Sequence, residues 1–174
     1  LGTESASGLT DILSGDYNPS GRLAMSFPQT VGQIPVYYNH YRTGRPYYGQ
    51  KDHYVSKYLD CPNEPLFPFG YGLSYSHVEY SDFSVFCEEG NVSAEITVTN
   101  NSSVSTLETV QLYIHDCVAS VVRPVKELKG FQQEELKPGE KKTVRFKITK
   151  DMLKFYNQKL EYVFEPGEFE IMIG

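Results

Sequence analysis

Along the second half of the chain, apolar and polar side chains alternate with a period of two, the spacing at which successive residues of an extended strand point to opposite faces. Val92, Ala94, Ile96 and Val98 alternate with Ser93, Glu95, Thr97 and Thr99. Val110, Leu112 and Ile114 alternate with Thr109, Gln111, Tyr113 and His115. Val144, Phe146 and Ile148 alternate with Thr143, Arg145 and Lys147, and Phe169, Ile171 and Ile173 close the series. Each strand is expected to have one dry face and one wet face. Val78, Tyr80, Phe83 and Val85 predict another strand whose parity slips at Ser81-Asp82, as a bulge would cause. Leu160, Tyr162 and Phe164 predict one more. Turn signals separate them at Asn100-Asn101-Ser102-Ser103, Lys137-Pro138-Gly139-Glu140 and Glu165-Pro166-Gly167-Glu168, the last two suited to type II turns.

About seven short strands in about a hundred residues predict an antiparallel sandwich of immunoglobulin or fibronectin III type over residues 76–174. The chain before it reads differently. Ala6, Leu9, Ile12 and Leu13 share one helical face, with Thr3 or Ser5 as cap and Gly15 where a left-handed residue would end the helix. A turn at Asp16-Tyr17-Asn18-Pro19-Ser20-Gly21 follows, with Asp16 expected to serve it as an Asx-type acceptor, and then a strand through Leu23, Met25 and Phe27. One short helix and one strand cannot close a two-layer core, so residues 1 to about 30 read as part of a larger α/β unit. From Val31 to Tyr58 periodicity is lost and tyrosines accumulate among glycines and prolines, so the chain ahead of the junction, the arm, ends in a long irregular tyrosine-rich stretch. Between arm and sandwich, Pro65 to Tyr75 holds two prolines and two glycines with an apolar residue at nearly every second position, and reads as a packed junction. The fold class is thus mainly β: a sandwich preceded by a partial α/β segment and a tyrosine-rich arm.

Composition narrows the classes of partner. The 174 residues carry a formal net charge of -6 and no Lys/Arg run, which argues against nucleic acid and anionic membrane surfaces. No apolar run reaches the length of a membrane span, and no basic leader followed by an apolar segment is recognised. Cys61, Cys87 and Cys117 are odd in number, widely spaced and without a C-x-x-C pair, so three free thiols are expected and the cytoplasm is the favoured compartment. Asn91-Val92-Ser93 and the overlapping sequons at Asn100 and Asn101 are too short to carry weight.

No complete active site is legible. Glycoside hydrolysis needs two carboxyl groups across the scissile bond. Asp52, Asp60 and Glu64 lie in loops, and Glu108, Glu127, Glu134 and Glu135 on or beside sandwich strands, where solvated wet-face charges are the expectation. There is no G-x-S-x-G, no phosphate-binding glycine loop, and no local base for the cysteines. His40, His53, His77 and His115 lack the spacing of a helical metal pair, so neither metal nor cofactor is expected. The candidates for binding are in the arm, where Arg45, Tyr47 and Tyr48 offer rings and a fork of donors suited to a sugar. The competing role for each tyrosine is packing of the arm onto the sheet, the heavier of the two expectations.

Read together and in order, the runs GDYNPSGRLAMSFP from Gly15, VGQIPVYYNH from Val31, TGRP from Thr43, YLDCPNEPLFPFGYGLSY from Tyr58, RPVKELKGF from Arg123, LKPGEKKTV from Leu136 and EPGEFEIMIG from Glu165 resemble the C-terminal region of glycoside hydrolase family 3, the β-glucosidases and β-xylosidases. The resemblance implies a catalytic (β/α)8 barrel, an α/β sandwich domain and a fibronectin III-like domain in that order. Residues 1–59 would be the tail of the α/β domain and its exit loops, 60–75 the junction, and 76–174 the fibronectin III-like domain. It implies retaining, exo-acting hydrolysis of β-glucosides by the whole protein. The aspartate nucleophile and the acid/base would both precede Leu1, leaving no catalytic residue in this chain and a buttressing role against catalytic domains of the same polypeptide. The sequence departs from the family at Ala24 and Cys117, where proline is usual. A carbohydrate-binding or adhesion module that uses the tyrosine-rich arm, and a generic fibronectin III-like interaction domain, are the alternatives.

Overall fold

The computed structural model of the chain describes residues 2–88 and 90–174. Its second half is the expected sandwich. Three long strands, β1 (Val78–Glu88), β2 (Asn91–Asn100) and β5 (Lys141–Ile148), form one antiparallel sheet in the order β1-β2-β5. Facing it, β3 (Thr106–Asp116), β4 (Glu127–Leu136) and β8 (Phe169–Ile173) form a second in the order β4-β3-β8. β6 (Phe155–Tyr156) and β7 (Tyr162–Val163) pair as a small separate hairpin.

The core is the set that alternation picks out on β2, β3 and β5, with Leu136 of β4 added and Val92, Phe169, Ile171 and Ile173 partly buried against it. Ala94, Ile96 and Val98 from β2, Val110, Leu112 and Ile114 from β3, Leu136 from β4, and Val144, Phe146 and Ile148 from β5 are buried in one cluster. The parity slip in β1 is a bulge: its register against β2 shifts between Ser81 and Ser84, and Asp82 sits at φ 54. The Lys137–Glu140 turn forms as expected, with Gly139 at φ 73 and the Glu140 N–H donating to Lys137 O at 3.0 Å.

Four expectations change. The segment Glu165–Glu168 makes no type II turn, with no positive φ at Gly167; Glu165 instead accepts bonds from the Ser120 N–H and hydroxyl, which hold its carboxyl below the usual carboxylate range. The strand read through Leu160 to Phe164 shrinks to two residues, because Leu160 turns at φ 62. The helix α1 spans Ser5–Ser14 with Glu4 at its N-cap and no side-chain cap bond, so neither Thr3 nor Ser5 caps it, although Gly15 closes it at φ 84 as expected. The segment through Leu23 and Phe27 is irregular, with only an isolated bridge from Phe27 to Phe67.

That segment nonetheless has a partner. The Leu23 N–H donates to Tyr71 O and the Phe27 N–H to Phe67 O, both at 2.8 Å, so the junction runs antiparallel to the start of the arm and takes up one of its edges. Among the described residues, no helix is long and apolar enough to cross a membrane.

Candidate functional site

The wet-face expectation fails most clearly on β3, and the reason locates where the first half of the chain meets the sandwich. Thr109, Gln111 and His115 were assigned to solvent, yet all three are buried. The junction bonds to Gln111, arm and junction together pack on the neighbouring Tyr113, Thr109 meets Gln133 of β4, and His115 lies against Pro124 of the β3–β4 connection. Tyr38 stacks on Phe69 with ring centroids 4.2 Å apart, and both rings meet the edge of Tyr113 at 5.8 and 6.5 Å. One aromatic cluster thereby joins arm, junction and sheet. Burial pushes the Tyr113 hydroxyl up to about 12. Beside it the Gln111 side chain donates to Gly70 O at 3.2 Å and accepts from the Tyr113 hydroxyl at 2.7 Å. Gly70, at φ 81, has room for no side chain: a Cβ there would stand 2.5 Å from Gln111 Oε1.

Glu108 was likewise expected to be a solvated charge. It shares parity with Val110 and Leu112, so it points between the sheets and is only 7% exposed. Arg22 reaches it from the arm, its Nη2 donating to both carboxylate oxygens at 3.0 Å, and the Tyr80 hydroxyl donates to the same carboxylate at 2.7 Å. Burial first, then the Glu108 charge, raise the Tyr80 pKa. A Cβ at Gly72 would come within 2.3 Å of the Gly21 carbonyl, so glycine is required where the junction crosses the arm. Asn18 completes the clasp. Its amide donates to Ser76 Oγ and Ser105 O, both at 2.8 Å, while its Oδ1 accepts from Ser74 Oγ and the Tyr75 N–H, both at 2.9 Å. The turn's side-chain work thus falls to Asn18; Asp16, given that role from sequence, accepts from Ser14 Oγ at 2.6 Å. Gln33, also unforeseen, is 1% exposed and closes the arm on itself by donating to the carbonyls of Pro62 and Glu64, each at 3.0 Å.

The sugar-binding candidates Arg45, Tyr47 and Tyr48 are exposed at the tip of the arm. Arg45 lies 5.9 Å from the centre of the Tyr54 ring, and with Tyr48, Gln50 and Asp52 these two line an open pocket of about 370 Å³. Tyr47 does not line it; its ring is occupied by Lys57, 5.4 Å from the centroid. Gln50 shapes the tip by donating to Pro46 O at 2.9 Å and accepting from the Tyr48 N–H. The structure therefore gathers Arg45 and Tyr48 and separates Tyr47 from them.

The carboxylates weighed for catalysis are dispersed. Asp52, Asp60 and Glu64 are exposed, and Glu127 is tied to Arg123 at 2.6 Å. Arg123 also lies over Phe155 at 4.5 Å, so this arginine of the RPVKELKGF run is a packing residue. One group with ligand chemistry stands apart from the arm: His115, Cys117 and Glu170, whose donor atoms all lie within 4.8 Å of one another. The sequence signal for it was a His-x-Cys pair on one strand and a Glu-x-Glu pair on another, legible as a site only once the strands are paired.

With this geometry in view, the likeness to known proteins is extensive. Residues 1–75 match the family described as Glycosyl hydrolase family 3 C-terminal domain, and residues 108–174 match the Fibronectin type III-like domain. A periplasmic β-glucosidase of Salmonella typhimurium is 50% identical over 99% of this chain, which covers 23% of that protein. A putative β-xylosidase of Formosa agariphila is 44% identical over 94% of the chain and 21% of its own length. The crystal structure of a β-glucosidase from Listeria innocua in complex with glucose superimposes with a TM-score of 0.94 at 50% identity, covering 99% of this chain and 25% of that one. The chain thus spans about a quarter of the length of the relatives it matches.

Proposed function

The chain belongs to glycoside hydrolase family 3, matching its C-terminal region, and from that premise we propose that it serves as the non-catalytic C-terminal part of a retaining, exo-acting β-glucosidase that removes terminal β-D-glucosyl residues. Its task is to buttress the catalytic domains of the same polypeptide. The division into an α/β tail to residue 59, a junction to 75 and a sandwich from 76 belongs to this reading.

The observation that carries it is the apolar surface the arm leaves exposed. α1 buries none of its residues, Leu13 is 76% exposed, Val31 85% and Leu59 96%, although the same segment is fastened to the sandwich through Asn18 and Arg22. So much exposed apolar surface on an otherwise well-bonded segment marks an interface for another part of the protein. The test is hydrolysis of an aryl β-glucoside. The isolated chain gives no turnover above buffer, and the polypeptide encoded together with the sequence upstream of Leu1 turns over at enzyme-like rates; turnover by the isolated chain at such rates contradicts the proposal.

A second reading has its own observation, the pocket at the arm tip with Tyr48 and Tyr54 exposed beside Arg45 and Asp52. There the arm contacts the saccharide directly. Calorimetric titration with glucose, cellobiose and xylobiose tests it: heat that disappears in Tyr48→Ala supports a sugar contact, and no heat leaves the buttressing role alone.

A further inference from the structure

The outer face of the β3–β8 pair carries a set of side chains that neither the arm nor the core uses. His115 lies directly opposite Glu170 in the antiparallel register. Just past the end of β3 and just before β8, two residues from that pair and at the same parity, come Cys117 and Glu168, joined by a bond from the Cys117 N–H to Glu168 O at 3.1 Å. Imidazole, thiol and carboxylate donors from His115, Cys117 and Glu170 already lie within 4.8 Å of one another.

We propose that His115, Cys117 and Glu170 bind a divalent transition-metal cation of the zinc type. Donor chemistry selects the class: nitrogen and sulfur ligands with one oxygen suit a borderline-soft ion and disfavour calcium or magnesium, which take oxygen alone. Geometry favours it independently. His115 is buried and its Nδ1 lies 2.8 Å from Pro124 O. A carbonyl can only accept, so Nδ1 carries the proton and Nε2 keeps its lone pair. Fixing a ligand imidazole through its other nitrogen is the usual support for a metal-binding histidine. Cys117 is half-buried and its backbone is fixed by the strand pair, whereas Glu170 is exposed and free to swing inward as the ligands contract around an ion. Glu168 and Glu170 bring negative charge beside Cys117, which attracts a cation. Water completes a tetrahedron.

The full chain with Cys61→Ser and Cys87→Ser, which leaves Cys117 as the single thiol, is dialysed against Zn2+ or Co2+. One equivalent of metal is retained, and the Co2+ form shows a thiolate-to-metal charge-transfer band. Adding Cys117→Ser abolishes the band and the retained equivalent, while Glu170→Gln weakens binding by less. Zn2+ also protects Cys117 from alkylation in the unaltered chain but leaves the exposed Cys87 reactive. No charge-transfer band, or metal retention that Cys117→Ser and Glu170→Gln leave unchanged, overturns the site.

Discussion

Arg22 and Glu108 are the pair on which the attachment of arm to sandwich turns at the level of single residues. Their side chains are 16% and 9% exposed, and three hydrogen bonds converge on the carboxylate. A buried charge pair contributes modestly over an apolar pair of the same shape, but losing one member strands the other. Arg22→Ala is therefore expected to cost about 2 to 4 kcal/mol in a urea melt, while Arg22→Met combined with Glu108→Leu recovers most of that loss. Equal losses in the single and double variants would show that the pair is not coupled. The sequence could not announce this contact. Glu108 lies on the core parity of β3, but a lone glutamate at a strand's start reads as solvated until a partner from 86 residues away arrives. Asn18 and Gln33 were hidden in the same way, because an amide's worth depends on which distant carbonyls it meets.

Among elements, β2, β3 and β5 were legible because their apolar residues fall at every second position and those residues form the core, although burial itself alternates cleanly only along β5. β4 was not. Its core-facing positions, set by register against Val110 and Glu108, are Gln132 and Glu134, and an edge strand satisfies them through Arg145 O and Lys142. Polar side chains at inward positions erase the alternation that would have marked the strand. The covered outer face of β3 was illegible for the opposite reason: threonine, glutamine and histidine look wet until another segment lies on them. This gives an expectation for the sandwich alone. A fragment of residues 76–174 keeps the ten-residue core and its β signal, but unfolds at lower urea than the whole chain and binds a hydrophobic dye at the exposed Tyr113. Identical urea midpoints would mean that the arm only rests on the sheet.

For the molecule as a whole, the arm has two kinds of residue. Asn18, Arg22 and Tyr38 bond it to the sandwich and the junction, whereas α1, Val31 and Leu59 are left in solvent. The family resemblance was legible in order and spacing of short runs, and it supplied what local reading could not, a role for a half-fold that cannot close its own core. Amide hydrogen exchange measures that role directly, because local opening of an unsupported helix is fast and that of a covered one slow. In the isolated chain the α1 amides exchange nearly as fast as in a peptide, and in the polypeptide that includes the upstream sequence they are protected by about a hundredfold or more, some 3 kcal/mol of local stability. Equal protection of α1 in the two would contradict the claim that this arm is one side of an interface with catalytic domains.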